Sequence, residues 1–164
     1  MTLVPDALVA ALRAAAPGAS IARDEALERY TTMRVGGPAD VLVSASSPRD
    51  VVAVANVARA HGVPITLLGG GSNVVIADAG IRGVTLRIHG GEVVAEGDTG
   101  VRADAVVTIN GLVRWLAGRG FAGLQAWAGT PGTVGGAICG NAHFQGRLIS
   151  EHVISVRVLD RTGA

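Results

Sequence analysis

The segment Gly69–Asn73 begins with three consecutive glycines and lies between two apolar runs. Val63–Leu68 before it and Asn73–Ala77 after it both have the composition of buried strands. Glycine tolerates positive φ and lets backbone N–H groups approach a ligand closely, and successive N–H groups form anion-binding concavities. With the hydroxyl of Ser72 and the amide of Asn73 at its rim, the segment is predicted to hold a diphosphate.

A tight hairpin turn at Gly69–Gly71 is the alternative, because short glycine motifs often occur by chance. The loop also differs from the two commoner nucleotide-binding signatures. It lacks the Lys-Ser/Thr pair of a P-loop, and no glycine-spaced helix start follows it as a dinucleotide fold requires.

Composition sets the class of protein. The chain has 164 residues, 49% of them hydrophobic, which is enough for one domain or two small lobes with a shared core. The net charge is +1, and the 14 basic residues are all arginines spread along the chain, which argues against a nucleic-acid surface. The single Cys139 excludes an internal disulfide, and the four scattered histidines form no metal-ligand pattern.

The amino-terminal sequence has no basic leader, and no apolar run approaches the roughly 20 residues that cross a bilayer. We therefore expect a cytoplasmic protein with no membrane and no nucleic-acid partner.

The first half of the chain predicts an alternation of strands and helices. Pro5–Ala16 has helical periodicity and is predicted to pack on the outside as an appendage. Ala39–Val43 is a predicted strand, and Ser47–His61 is a predicted helix that Ser47 caps. Val63–Leu68 then completes a βαβ unit with parallel strands, which places the glycine segment at a carboxyl strand end, where ligands bind in open α/β sheets.

Beyond the glycine segment the pattern becomes more antiparallel. Val84–Ile88 and Glu92–Glu96 are predicted strands, and a second lobe is predicted to begin near Gly83. Ala103–Ala117 carries apolar residues at helical spacing and is the next predicted helix. The chain is therefore expected to be α+β, with a βαβ lobe followed by an antiparallel sheet lobe with helices.

A second glycine cluster occupies Ala128–His143. Thr130 can cap a helix and Pro131 suits a first helical turn, so a short helix is predicted whose N–H groups face a cleft. Two glycine-rich backbones would then converge on one extended ligand. The alternative is a small-residue helix packed on the sheet, which accounts for Gly135 and Gly136 but not for the polar residues Thr130, Thr133 and Asn141.

The last segment, Val153–Asp160, alternates apolar and polar residues and is predicted to form a strand, followed by a hairpin turn at residues 160–164. No returning strand follows this turn. Either the strand is an unpaired edge or the sequence is part of a longer chain.

Three motifs in this order and spacing resemble the UDP-N-acetylenolpyruvoylglucosamine reductase family. They are Thr31–Ala39, Leu68–Asn73, and Gly129–Ala137 followed by Asn141-Ala142. The resemblance covers roughly Thr31 to Gly163 and is closest to the amino-terminal FAD-binding part of those enzymes.

The resemblance implies a fold, a cofactor and a reaction. The fold is the two-lobed FAD-binding domain of the vanillyl-alcohol-oxidase/PCMH type, holding FAD without a covalent bond. NADPH is the implied hydride donor in the full enzyme, and the enolpyruvyl group of a nucleotide sugar is the implied acceptor. The product, UDP-N-acetylmuramate, would serve peptidoglycan synthesis and hence cell wall biogenesis, cell shape and cell division.

The resemblance also implies which residues hold the cofactor. The FAD diphosphate would lie on Gly69, Gly70, Gly71, Ser72 and Asn73, and the second cradle would consist of Thr130, Gly132, Thr133, Gly135, Gly136, Asn141 and Ala142. Arg34 and His143 are candidates for contact with flavin or substrate, although a solvated loop arginine and an ordinary surface histidine are the alternatives. Cys139, among small apolar neighbours, is expected to be a buried thiol.

Two departures from the family pattern limit these implications. His143-Phe144 stands where the family has a glycine-rich run. The family's catalytic arginine, serine and glutamate and its substrate-binding domain lie beyond the matching segment, so no catalytic residue is assigned in this chain and we expect it to be inactive alone.

The expected organisation is a helical appendage at residues 1–20 and a carboxyl-terminally incomplete FAD-binding domain at 21–164, with lobes at about 30–82 and 83–164. Two other classes remain open. One is another FAD-dependent oxidoreductase of the same fold, and the other is a non-catalytic flavin-binding module.

Overall fold

The computed structural model describes residues 4–160, and the chain divides into two compact units. The first comprises the described residues up to His89 together with Val158–Asp160, and the second is Gly90–Arg157. Each unit is described by itself below. The predicted hairpin turn at residues 160–164 lies almost wholly outside the described residues.

The first unit is built on a four-stranded mixed sheet with two helices. The strand order is β1-β2-β4-β3, with β1 antiparallel to β2 and the other neighbours parallel. The elements of this unit are α1 (Asp6–Ala15), β1 (Ser20–Ala26), β2 (Pro38–Ala45), α2 (Pro48–Ala60), β3 (Ile65–Leu68) and β4 (Ile81–Ile88), with a 3-10 turn at Leu27–Tyr30.

Helix α2 begins as the sequence predicts. The Ser47 hydroxyl accepts a hydrogen bond from the Asp50 N–H at 3.1 Å, and Pro48 occupies the first turn, where its missing N–H costs nothing. The helix ends before Gly62, which has φ +64°. Val54 and Ala58 are fully buried against the sheet core.

Helix α1 is an integral part of the first unit's core. Its Leu8 and Leu12 are fully buried and belong to the same cluster as Val43, Val54 and Val84. The helix was expected to pack on the outside, but its apolar face is completely covered.

Strand β4 lies between the two strands of the βαβ unit. Strands β2 and β3 are parallel, as predicted, and each pairs with β4. Strand β4 therefore belongs to the parallel sheet, and the antiparallel pattern predicted from Val84 onward begins only after it. The strand predicted at Asn73–Ala77 is wrong, because the structure has turn and irregular backbone there, with Val75 75% exposed.

The second unit contains two short antiparallel hairpins and two helices. The elements are β5 (Val93–Glu96), β6 (Gly100–Ala103), α3 (Ile109–Ala117), α4 (Val134–Cys139), β7 (His143–Phe144) and β8 (Arg147–Leu148), with 3-10 turns at Gln125–Trp127 and Ile149–His152. Its core packs around the fully buried Trp127 and includes the buried residues Ile109, Val113 and Ile149.

Helix α3 is shorter than predicted and starts at a threonine cap. The predicted helix began at Ala103, but residues 100–103 form β6, and the Thr108 hydroxyl accepts from the Gly111 N–H at 3.0 Å to begin the helix. The strand predicted at Val153–Asp160 is also wrong. The structure assigns no strand there, and Ile154 is 95% exposed.

Candidate functional site

The glycine loop, Gly69–Asn73, follows β3 in the first unit. Gly69 and Gly70 are exposed, whereas Gly71 is buried with φ +69°. A Cβ atom on Gly71 would overlap the carbonyl oxygen of Tyr30, so only glycine fits this position. The loop is thus closely packed at Gly71 and open at the first two glycines.

A turn at Thr31–Val35 lies against the glycine loop. Thr31 is 3% exposed, and its hydroxyl donates to the Val35 carbonyl at 2.8 Å, which closes the turn. The Thr32 N–H donates to the Gly71 carbonyl at 2.9 Å and joins the turn to the loop. Arg34 has φ +56°, a left-handed conformation that is uncommon outside glycine.

An open cavity of about 360 Å³ lies within the first unit beside this junction. We call it the arginine cavity, because three arginines and no carboxylate are among its lining residues. The lining residues are Arg29, Tyr30, Thr31, Thr32, Arg34, Gly69, Gly70 and Arg87.

Arg87 is held against an aromatic ring in this cavity. Its guanidinium carbon lies 5.2 Å from the centroid of the Tyr30 ring, within the range of a cation–π contact. The Tyr30 hydroxyl donates to a Glu25 carboxylate oxygen at 3.1 Å. Burial raises the pKa of Tyr30 above its ordinary 10.0, and the hydrogen bond and charge of Glu25 raise it further, against the opposing charges of Arg87 and Arg29.

The backbone of the glycine loop has unused donors. Within the described residues, the N–H groups of Gly69–Asn73 make no hydrogen bond to another protein group. Consecutive free N–H groups beside three guanidinium groups suit an anion with several oxygens, because each phosphate oxygen accepts charge-assisted hydrogen bonds. The residues present in the first unit therefore fit the diphosphate of a flavin dinucleotide.

The second predicted cradle lies in the second unit, around α4. Thr133 caps α4, and its hydroxyl accepts from the Gly136 N–H at 3.2 Å. The helix therefore starts at Val134, three residues later than a Thr130 cap would place it. Gly135 has a packing role, because its N–H donates to the Ala105 carbonyl at 2.7 Å and a Cβ atom there would lie 2.8 Å from the Ala105 Cβ.

The other predicted residues of this cradle lie on the turns before and after α4. Gly132 has φ +104°, and Thr130 has a buried hydroxyl without a hydrogen-bond partner among the described residues. Asn141 has φ +41°, and its side-chain oxygen accepts from the Ser150 N–H at 3.3 Å. Ala142 donates to the Ala137 carbonyl at 2.7 Å, and His143 is exposed in β7.

Cys139, expected to be a buried thiol, is exposed at the end of α4. Small neighbours suggested burial, but Cys139 is the last residue of the six-residue α4 and is followed by the exposed Gly140.

Five lining residues of the cavity were not predicted as site residues. Thr31 and Thr32 lie within the Thr31–Ala39 motif, whereas Arg29, Tyr30 and Arg87 lie outside every motif. Arg87 pairs in register with Leu68, the last residue of β3, so it stands next to the start of the glycine loop. Recognising β4 as a parallel neighbour of β3 would have placed Arg87 at the same carboxyl edge. Tyr30 and Arg29 directly precede the Thr31–Ala39 motif. This position next to a motif was the sequence feature that could have indicated a place in the site.

No group of three or more His, Cys, Asp or Glu residues within 4–160 is arranged to hold a metal ion. Among the same residues, the structure has no helix with the length and apolar character needed to cross a membrane.

Comparison with protein-family models gives a match to the FAD binding domain over residues 39–164, which is most of the chain. The chain belongs to this FAD-binding family. The α+β fold class expected from the sequence is therefore confirmed. Where an antiparallel sheet lobe with helices was expected, the second unit has two separate two-stranded antiparallel hairpins with helices.

Curated relatives of this FAD-binding chain are UDP-N-acetylenolpyruvoylglucosamine reductases, as the motifs indicated. The relative from Rubrobacter xylanophilus (strain DSM 9941 / JCM 11954 / NBRC 16129 / PRD-1) is 46% identical over 125 residues, which cover 75% of this chain and 42% of the relative. The relative from Caulobacter sp. (strain K31) is 42% identical over 142 residues, covering 85% and 46% respectively. The chain thus spans less than half the length of the curated relatives it matches.

Solved structures give the same result for the fold. The UDP-N-acetylenolpyruvylglucosamine reductase of Thermus caldophilus superposes with a TM-score of 0.62 at 28% identity, covering 79% of this chain and 45% of that one. A cholesterol oxidase from Brevibacterium sterolicum superposes with a TM-score of 0.55 at 23% identity, covering 78% and 25%, and shares the fold alone. The predicted resemblance to the FAD-binding part of the reductases is confirmed.

Proposed function

We propose that this chain is the FAD-binding part of an NADPH-dependent reductase that converts UDP-N-acetylglucosamine enolpyruvate to UDP-N-acetylmuramate. Family membership supports the cofactor, and the names of the curated relatives support the reaction. The product is a precursor of peptidoglycan, and a soluble nucleotide-sugar substrate is consistent with a cytoplasmic enzyme.

The observation that carries the proposal is the junction of the glycine loop with the arginine cavity. Gly69 and Gly70 are exposed, the loop's N–H groups are free, and three guanidinium groups line the adjoining cavity. In our proposal the loop's N–H groups bind the FAD diphosphate, while Ser72 and Asn73 donate from its rim. Arg34 lies in the same cavity, so we assign it to the flavin dinucleotide rather than to the substrate.

In the second unit we propose that the turns around α4 contact the flavin. The candidates are Thr130, Gly132, Thr133, Gly136, Asn141 and Ala142. Thr130 is the strongest of them, because its buried hydroxyl lacks a partner among the described residues and a bound ligand would satisfy it. Gly135 supports this segment by packing on Ala105. His143 is exposed and remains a candidate for substrate contact.

Bound FAD would supply the redox chemistry, accepting a hydride from NADPH and delivering it to the enolpyruvyl double bond. The residues of this chain would bind and orient that cofactor by offsetting its phosphate charge in the arginine cavity. We assign no acid, base or hydride-transfer role to any residue of this chain, and we expect no turnover by the chain alone.

The test is FAD binding by the purified chain. The absorption spectrum between about 350 and 500 nm should show bound flavin, and saturating FAD should raise the unfolding midpoint, because a ligand that binds only the native state stabilises it. At a free FAD concentration of about 100 times its Kd, the expected stabilisation is about 2.7 kcal/mol.

Gly70→Val should abolish flavin binding while leaving the fold intact, because Gly70 is exposed and a valine side chain would occupy the path of the diphosphate. Ala60→Val is the control, since Ala60 is an exposed residue of the same unit at the end of α2 and does not line the arginine cavity. A folded wild-type chain that binds no FAD, or a Gly70→Val chain that binds FAD like wild type, would contradict the assignment.

A further inference from the structure

In the described part of the chain, no carboxylate forms an ion pair with the arginines of the arginine cavity. Within residues 4–160, Arg29, Arg34 and Arg87 form no ion pair, whereas Arg82 and Arg102 of the same chain do. Three guanidinium groups around one open cavity repel one another, and an anion bound there would offset that repulsion. The cavity therefore fits an anion with more than one negative charge.

Arg87 differs from the other two arginines because its guanidinium group packs on a ring. The Tyr30 ring lies 5.2 Å from the guanidinium carbon, and Glu25 accepts the Tyr30 hydroxyl hydrogen at 3.1 Å. Glu25 thereby anchors the tyrosine, and the tyrosine restricts the arginine. A cation–π contact leaves the edge of a guanidinium group, with its N–H donors, free to bind an oxyanion.

The backbone places Arg87 at the ligand end of the sheet. It is paired with Leu68 across β3 and β4, and the free N–H groups of the glycine loop begin at the next residue, Gly69. Arg87 and the first two glycines of the loop, Gly69 and Gly70, therefore line one cavity.

We propose that Arg87 binds the diphosphate in the arginine cavity and that Tyr30 is its positioning residue, anchored by Glu25. The inference rests on the proposed function, because it concerns the same cavity. It adds a side-chain donor, Arg87 of β4, to the backbone N–H donors of the glycine loop. Restricting Arg87 in advance lowers the entropy lost when the anion binds.

The first experiment measures binding of inorganic pyrophosphate to the purified chain by isothermal titration calorimetry. Arg87→Gln should weaken binding about 10- to 100-fold, the effect of losing charged hydrogen bonds to an anion. Arg49→Gln is the control, because it removes one exposed positive charge of the first unit that does not line the cavity. It should change the affinity by less than about 3-fold at physiological salt.

The second experiment separates positioning from simple structural support. Tyr30→Phe keeps the ring beneath Arg87 but loses the hydrogen bond to Glu25, so it should bind pyrophosphate about 2- to 3-fold more weakly than wild type. Tyr30→Leu removes the ring as well and should bind about 5-fold or more weakly. Far-UV circular dichroism checks that both variants are folded. Equal affinities for Phe and Leu would overturn the role of Tyr30.

Tyr30 also provides a spectroscopic signal, because it is the single tyrosine of the chain. Arg87 and Arg29 lower its pKa, so an anion bound to them should oppose that effect and raise the pKa further. Tyrosinate absorbance at about 295 nm, followed with and without pyrophosphate, measures this change. The Arg87→Gln chain should show a smaller change on adding pyrophosphate than wild type.

These outcomes distinguish the inference from the proposed function. A wild-type chain that binds FAD but not pyrophosphate, or an Arg87→Gln chain with wild-type affinity for both, would overturn the inference and leave the FAD assignment standing. A chain that binds pyrophosphate at the cavity but not FAD would support Arg87 and contradict the proposed function.

Discussion

Adjacent glycines of one loop have different roles in this protein. Gly69 and Gly70 are exposed at the arginine cavity, where a ligand can approach their backbone. Gly71 is buried against the Tyr30 carbonyl and has positive φ, so it fixes the loop on the turn at Thr31–Val35. The first two glycines are therefore expected to affect ligand binding, and the third to affect stability.

Gly71→Ala should destabilise the fold strongly. The left-handed backbone costs an alanine roughly 1–2 kcal/mol, and the overlap of its Cβ with the Tyr30 carbonyl adds roughly 1–3 kcal/mol of overpacking. Urea unfolding should show the combined loss of unfolding free energy.

Gly62→Ala is the matched control for this change. Gly62 has φ +64°, close to the +69° of Gly71, but a Cβ atom there meets nothing within 4 Å. It should lose only the backbone component, roughly 1–2 kcal/mol. Equal losses at the two positions would show that the contact with Tyr30 does not constrain the loop.

At the scale of secondary structure, strands β2 and β4 are joined by a charged pair as well as by their ladder. Arg82 pairs with Asp40, whose side chain is 8% exposed, and the other carboxylate oxygen accepts from the Gly83 N–H at 2.9 Å. A buried carboxylate needs both partners, because an uncompensated charge in the protein interior is costly.

Arg82→Met should therefore lower the unfolding free energy by about 1–3 kcal/mol, a range reduced from fully buried pairs because Arg82 is itself 44% exposed. Arg102→Met is the comparison. Arg102 faces three exposed carboxylates at 3.5–3.6 Å, and such surface pairs contribute less than about 1 kcal/mol. Chemical denaturation measures the loss of unfolding free energy in each variant. A larger loss for Arg102→Met than for Arg82→Met would contradict this account.

The elements that the sequence predicts correctly are those with strong local signals. Helix α2 has a cap, a proline and a glycine stop, and β2 and β3 are short apolar runs on either side of it. The insertion of β4 between them depends on contacts between residues distant in the chain, which periodicity does not report. Strand β1 was not predicted because Ser20–Ala26 is largely polar. Its pairing with β2, rather than its own sequence, makes the segment a strand.

The same distinction applies to the candidate site. The glycine loop can be recognised in the sequence because consecutive glycines indicate an unusual local backbone conformation. Arg87 and Tyr30, in contrast, reach the cavity only through sheet pairing and side-chain packing. Asn73–Ala77 shows the opposite error, since its Val74 and Val75 have strand propensity but no partner strand beside them in the described residues.

At the scale of the whole molecule, the two units have cores of different size. Among the described residues, the main cluster of the first unit contains eleven buried hydrophobic residues, and the cluster of the second unit contains five. A smaller core buries less apolar surface. The second unit therefore gains less hydrophobic stabilisation to offset the conformational entropy that its chain loses on folding.

We expect the second unit to unfold at a lower urea concentration than the first. Both tryptophans, Trp115 and Trp127, lie in the second unit, so tryptophan fluorescence reports that unit alone. Hydrogen exchange of peptides from β2 and β4 reports the first unit. The fluorescence midpoint should come before the loss of protection in these strands, and coincident transitions would instead indicate a single cooperative fold.

Leu12→Ala tests whether these two signals are independent. Leu12 is fully buried in the first unit, so the substitution should cost about 2–5 kcal/mol and lower the protection of β2 and β4. If the units unfold separately, the tryptophan midpoint should stay where it is in the wild-type chain. A fluorescence midpoint that falls with Leu12→Ala would mean that the second unit depends on the first for its stability.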